Sequence, residues 1–160
     1  MKAFCAAVLL CGLIQGMPAL AAPPAASPLL GTWAVDTARL PMAAAARPKS
    51  VTFTFAEAGG NKLKTEVDIV DAGDVRIHST STVGTDGVPG SITGGMEADT
   101  VALTQPSPNV LVMVLSKART PGSTRIYVAA PDGKSMVETA TYFGDNGTPI
   151  IRTNYFTRVR

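Results

Sequence analysis

The sequence predicts an all-β protein, a single up-and-down antiparallel barrel of about 8–10 strands with at most one short helix. Three observations predict it. Apolar and polar residues alternate with period two along most of the chain, the pattern of half-buried antiparallel strands. Turn chemistry recurs between these runs at nearly constant spacing, and each turn is a hairpin candidate. No long helical pattern is present to cover a flat sheet, so closing the sheet on itself removes both open edges. The rival is a two-sheet sandwich with a dry core, whose crossovers usually need longer connections than these. At about ten strands a barrel is wider than side chains readily fill, so a cavity is expected.

Met1 to Ala21 is set aside as an expected signal peptide: Lys2, an apolar run from Ala3 to Ile14, and a small-x-small site at Ala19-Leu20-Ala21. The run is about a dozen residues, short of the ~20 that span a membrane, so no stable membrane insertion of the mature chain is expected. The protein is expected to be exported, to the periplasm or beyond the cell, after cleavage between Ala21 and Ala22. Both cysteines, Cys5 and Cys11, lie in the leader, which leaves the mature chain without a thiol. Residues 22–29, Ala, Pro and Ser up to Pro28, read as a disordered spacer, and 30–160 as the barrel domain. Without Lys2, the 14 basic side chains fall to thirteen against 12 acidic ones. With no basic stripe, nucleic acid is disfavoured as a partner.

Gly31-Thr32-Trp33-Ala34-Val35 opens the folded part, with Trp33 and Val35 turned to one face. Thr37 to Lys49 is the one long connection. Its Ala43 to Ala46 favours a helix bounded by Pro41 and Pro48, marginal at about six residues. It reads as a plain connection or a small lid over one end of the barrel. Val51, Phe53 and Phe55 alternate with threonines; Leu63, Thr65, Val67 and Ile69 alternate with Lys64, Glu66 and Asp68. Val75 and Ile77 alternate with Arg76 and His78, and Val101 and Leu103 with Thr100, Ala102 and Thr104. Val110 to Leu115 is apolar on both faces, and Arg125 to Ala130, Met136 to Phe143 and Ile150 to Val159 complete the set. Gly, Pro, Asn and Asp between them mark turns, among them Asp71-Ala72-Gly73-Asp74, Pro121-Gly122-Ser123 and Pro131-Asp132-Gly133-Lys134.

At Gly31-Thr32-Trp33, taken with Tyr155-Phe156-Thr157-Arg158 near the end, the chain resembles the calycin group, which includes the lipocalins and fatty-acid-binding proteins. The resemblance implies that a basic residue of the last strand packs over the first strand's Trp ring and closes one end of the barrel. Gly31, Trp33 and Arg158 are the matching positions. Over nearly all the mature chain it is also similar to an uncharacterised group of small secreted bacterial proteins, through Pro48-Lys49-Ser50, Asp86 to Gly94 and Ala98-Asp99-Thr100-Val101. That likeness implies a fold and no activity. Fatty-acid-binding proteins hold a carboxylate with Arg-x-Tyr on the final strand, where this chain has Asn154 and Phe156. Arg125-Ile126-Tyr127 carries the right letters on an earlier strand and is not expected to inherit the role.

Catalysis has little to work with. One histidine and no mature cysteine exclude structural zinc and Cys-His chemistry, and a Ser-His-Asp triad would have to use His78. Alternation sends His78 outward; it reaches a haem or a substrate only if Arg76 and His78 face inward. Asp68, Asp71 and Asp74 cluster at a turn but lack a dedicated calcium loop's spacing. Asn146-Gly147-Thr148 fits a glycosylation acceptor and equally a turn. No catalytic residue, metal or cofactor is expected.

Ligand binding has more support. Ser79, Ser81, Glu138 and Tyr142 share parity with apolar residues, and buried polar groups need partners. With Phe53, Val67, Ile77, Met113 and Val128 they form the expected lining of a cavity. Glu138 equally fits an outward place, with Val137, Thr139 and Phe143 inside. The expected function is that of a secreted or periplasmic lipocalin-like protein binding a small, mostly apolar molecule. The alternative is a non-enzymatic envelope or interaction protein with a filled barrel, binding a macromolecule through its loops or outer face; least favoured is an enzyme using the barrel mouth. Oligomeric state is not legible.

Overall fold

In the computed structural model, which describes residues 26–159, ten strands form one closed antiparallel barrel. They are β1 (Gly31–Val35), β2 (Ser50–Glu57), β3 (Lys62–Val70), β4 (Arg76–Gly84), β5 (Gly90–Thr93), β6 (Thr100–Ser107), β7 (Val110–Lys117), β8 (Thr120–Ala129), β9 (Ser135–Phe143) and β10 (Pro149–Arg158). Each strand pairs with its sequence neighbours, and β10 closes onto β1. The expected leader and cleavage site lie outside the described residues. Among the described residues no helix is long and apolar enough to cross a membrane.

The seam is built by the first and last strands. Trp33 stands opposite Arg158 and Val35 opposite Phe156. The Arg158 guanidinium lies 4.2 Å from the indole centroid, a cation–π contact, and donates to the carbonyls of Pro28, Leu30 and Gly133. The indole Nε1 donates to the Leu29 carbonyl at 2.8 Å. Gly31 sits at φ 123°, a conformation that glycine adopts without strain. The stretch read as a spacer contributes its end to this closure: Leu29 is buried, because the seam needs its side chain as a plug and its carbonyl as an acceptor.

One end of the barrel is filled. Phe53, Phe55, Tyr127 and Phe156 pack there edge to face or tilted, with centroids 5.4–6.3 Å apart, over Trp33, Leu103, Leu111 and Met136. The other end carries the long connection after β1. Instead of a short helix, this connection holds two 3-10 turns, Thr37–Arg39 and Ala44–Ala46; between Pro41 and Pro48 too few residues remain to nucleate an α-helix. It is a connection that also covers: Arg39 stacks on the Tyr155 ring at 3.3 Å, and Leu40 reaches the interior.

One turn is misplaced by sequence. Pro121 and Gly122 lie inside β8, and the chain reverses at Ala118 and Arg119, with φ of 49° and 66°. Gly122 is instead a point of close approach, since a Cβ there would lie 3.1 Å from the Leu115 carbonyl. The reversal is held by Asp99, whose carboxylate accepts from the Ala118 amide at 2.8 Å and the Thr100 hydroxyl at 2.9 Å. These two hydrogen bonds hold its pKa below the usual carboxylate value. Two-residue hairpins with both φ positive favour Asn-Gly, and left-handed backbone strains a side chain. Arg119→Gly is therefore expected to raise stability by about 1 kcal/mol, read as a higher denaturant midpoint at unchanged m.

Candidate functional site

A cavity of about 420 Å³ occupies the end of the barrel opposite the aromatic plug, within the range of small-molecule sites. It exists because the inward side chains change character along the strands. Toward the plug they are Phe55, Leu63, Leu103 and Tyr127, all buried. Toward the connection they are smaller or polar: Val51, Thr65, Val67, Ser79, Ser81 and Asn154. The cavity opens past Met96 and Glu97, both exposed. An outer hollow shares Leu40, Glu97, Leu115, Arg125 and Asn154 with it and adds Met42, Tyr142 and Arg152.

Of the residues expected to line a cavity, Phe53, Val67, Ile77, Ser79, Ser81, Met113 and Glu138 do so. Tyr142 stands in the outer hollow, with the Arg152 guanidinium 5.2 Å from its ring centroid. Val128 does not belong. It is 41% exposed and shares the outer face with Val114, Ile126 and Val137, because β8 sends Arg125, Tyr127 and Ala129 inward. Hydrophobicity misleads on this strand: Ile126 and Val128 face outward while the inward Arg125 carries charge.

Glu138 is the polar centre. Its place inside follows from the inward set Met136, Glu138 and Ala140, all buried; Val137 and Phe143 face out. Glu138 is 2% exposed, opposite Tyr127 on β8 and Asn154 on β10. Its Oε2 accepts from Asn154 Nδ2 at 2.6 Å. Its Oε1 lies 3.5 Å from Arg125 Nη1 and accepts no hydrogen bond. Arg125 bridges outward as well: Nη2 donates to Glu97 Oε1 at 2.6 Å and Nε to Ser123 Oγ at 3.1 Å. Burial works against the Arg125 cation, yet Tyr127, Glu97 and Glu138 together raise its pKa further. Burial, then the Glu138 charge, push the Tyr127 phenol well above its ordinary pKa. The Tyr127 oxygen feels both charges but has no contact of hydrogen-bond geometry, and the Thr65 hydroxyl is likewise unpartnered.

Glu97 escapes the sequence reading, and Arg125 and Asn154, which enter it only through the Arg-x-Tyr comparison, are not among the expected lining. The signal for Arg125 was its parity with Tyr127 and Ala129, opposite the apolar run Val110 to Leu115 of β7.

The remaining candidates are occupied on the outside. His78 Nδ1 is 2.7 Å from Asp68 Oδ1, with both side chains more than half exposed. Asp74 pairs with Lys49 at 2.6 Å, and Asp71 Oδ1 accepts from the amides of Gly73 and Val75. Among the described residues no group of three His, Cys, Asp or Glu side chains is placed to hold a metal ion. Asn146 Oδ1 accepts from the Thr148 amide at 3.0 Å, an Asx-type turn.

A closed ten-stranded up-and-down barrel with an internal cavity defines a calycin-like fold of the fatty-acid-binding-protein type. Solved structures agree. A variant of the fluorescent protein UnaG superposes with a TM-score of 0.57 at 13% identity, covering 83% of this chain and 97% of that one. Fatty-acid-binding protein 1 of Echinococcus granulosus follows at 0.53 and 11%, covering 83% and 98%. The fatty acid binding protein of Schistosoma mansoni in complex with arachidonic acid gives 0.52 and 17%, covering 84% and 98%. At these identities the likeness is one of fold. No protein-family model matches the sequence, and no curated protein matches it significantly.

Proposed function

We propose that this is an exported, non-enzymatic, lipocalin-like binding protein, periplasmic or extracellular, that holds a small and mostly apolar molecule inside its barrel. One observation carries the reading: an internal cavity with apolar walls around a buried Glu138 whose Oε1 accepts no hydrogen bond. A buried acceptor left unpaired costs free energy, and a ligand that enters removes that cost. The filled-barrel alternative requires an interior without such space. Two fold neighbours are fatty-acid-binding proteins by name, one in complex with arachidonic acid, which supports an apolar occupant. Export rests on the leader pattern of Met1 to Ala21.

Native mass spectrometry of the protein purified from its own host is expected to show a co-purifying small molecule of defined mass. A panel of lipids and pigments is expected to raise its melting temperature. No adduct together with no thermal shift across the panel contradicts the proposal.

A further inference from the structure

We propose that the cavity prefers an amphipathic amine, an apolar chain ending in a protonated nitrogen, to a fatty-acid carboxylate; this rests on the ligand-binding reading above. The charged groups on the cavity wall are Arg125, Glu97 and Glu138, a formal balance of one negative charge. Arg152 belongs to the outer hollow, against Tyr142.

Arg125 is the cation that a carboxylate would seek, and two carboxylates of the protein already flank it. Nη2 donates to Glu97 and Nε to Ser123, while Nη1 lies 3.5 Å from Glu138 Oε1 without a hydrogen bond. Acceptors are left unfilled as well. Glu138 is 2% exposed and its Oε1 accepts no hydrogen bond, while the Thr65 and Tyr127 hydroxyl oxygens are buried and unpartnered. An ammonium brings three donors and no acceptor, so it matches Glu138 Oε1 and the Thr65 hydroxyl on the cavity wall. A carboxylate would bring a second anion beside Glu138, and like charges in one site disfavour each other. Repulsion of the amine by Arg125 is set against two carboxylates, the buried Glu138 at 3.5 Å from that cation and the exposed Glu97 at 2.6 Å. The walls away from this cluster, among them Val67, Ile77 and Ile92, accommodate the chain.

The test is isothermal titration at neutral pH with dodecylamine, dodecanol and dodecanoate, each below its aggregation concentration. The amine is expected to bind at least about tenfold more tightly than the carboxylate, with the alcohol between. Glu138→Gln, similar in volume, is expected to bring amine and alcohol to within about threefold of each other. Its fold is checked by far-ultraviolet circular dichroism; should it not fold, the three wild-type titrations decide. Dodecanoate binding as tightly as dodecylamine overturns the proposal, as does an amine preference that survives Glu138→Gln. Dodecanol binding as tightly as the amine overturns the head-group preference and leaves the cavity reading intact. Failure of all three ligands to bind overturns the amine proposal, and the cavity reading falls only if the mass-spectrometric and thermal-shift panel is negative as well.

Discussion

Trp33→Ala is expected to destabilise the protein by about 3–5 kcal/mol, the range for removing a large buried aromatic. The indole is fully buried at the one place where the chain's first strand meets its last. Three things are lost together. The plug over Leu29 opens, the Leu29 carbonyl loses its donor at 2.8 Å, and Arg158 loses the ring beneath its guanidinium. Arg158 keeps its backbone acceptors on both sides of the seam, so the closure is weakened rather than cut. Because this is the chain's only tryptophan, unfolding must be followed by far-ultraviolet circular dichroism in denaturant. A loss below about 1 kcal/mol is what a surface substitution gives, and would mean that the barrel is not closed at this ring.

Arg125→Met is expected to cost a similar amount, about 3–5 kcal/mol, and for a different reason. The substitution keeps much of the side chain's volume but leaves the Glu138 carboxylate buried with Asn154 as its one hydrogen-bond partner. The Glu97 limb contributes little, since Glu97 is 66% exposed at its side chain and exposed pairs are worth about 0–1 kcal/mol. The argument fixes the outcome of the double variant. Arg125→Met with Glu138→Gln removes both charges and is expected to recover most of the loss, within about 1–2 kcal/mol of the parent. Additive losses in chemical denaturation would show that the pair is not coupled.

Most of the architecture was legible because alternation reports burial directly wherever one face of a strand is polar. β2, β3 and β4 show this: Phe53, Val67, Ile77, Ser79 and Ser81 were placed inside by parity alone. The seam was legible through the two residue types at its ends, Trp33 and Arg158. β7 and β8 were legible only in part, with Met113 on the inner face. β7 is apolar on both faces, so it fixes no register for its partner, and β8 then offers Val128 outside and Arg125 inside. The turn between them carries neither Gly nor Pro; its positive φ values at Ala118 and Arg119 are held by Asp99, nineteen residues away in sequence, a tertiary contact that no local pattern announces. The polar centre was found in part for the same reason. Glu138 stands out among apolar neighbours, whereas Asn154 becomes its partner through the β9–β10 register and Glu97 meets Arg125 through a loop 28 residues away in sequence.

Methyl NMR of the four methionines of the described barrel locates a bound ligand most directly. Met113 lines the cavity wall, Met96 stands at its opening, Met42 in the outer hollow, and Met136 is buried in the plug. Saturation with dodecylamine is expected to shift Met113 strongly and Met96 to a lesser degree while Met136 stays fixed. Shifts confined to outer-face methyls such as Val114 and Val128, with Met113 unmoved, would contradict an occupied interior.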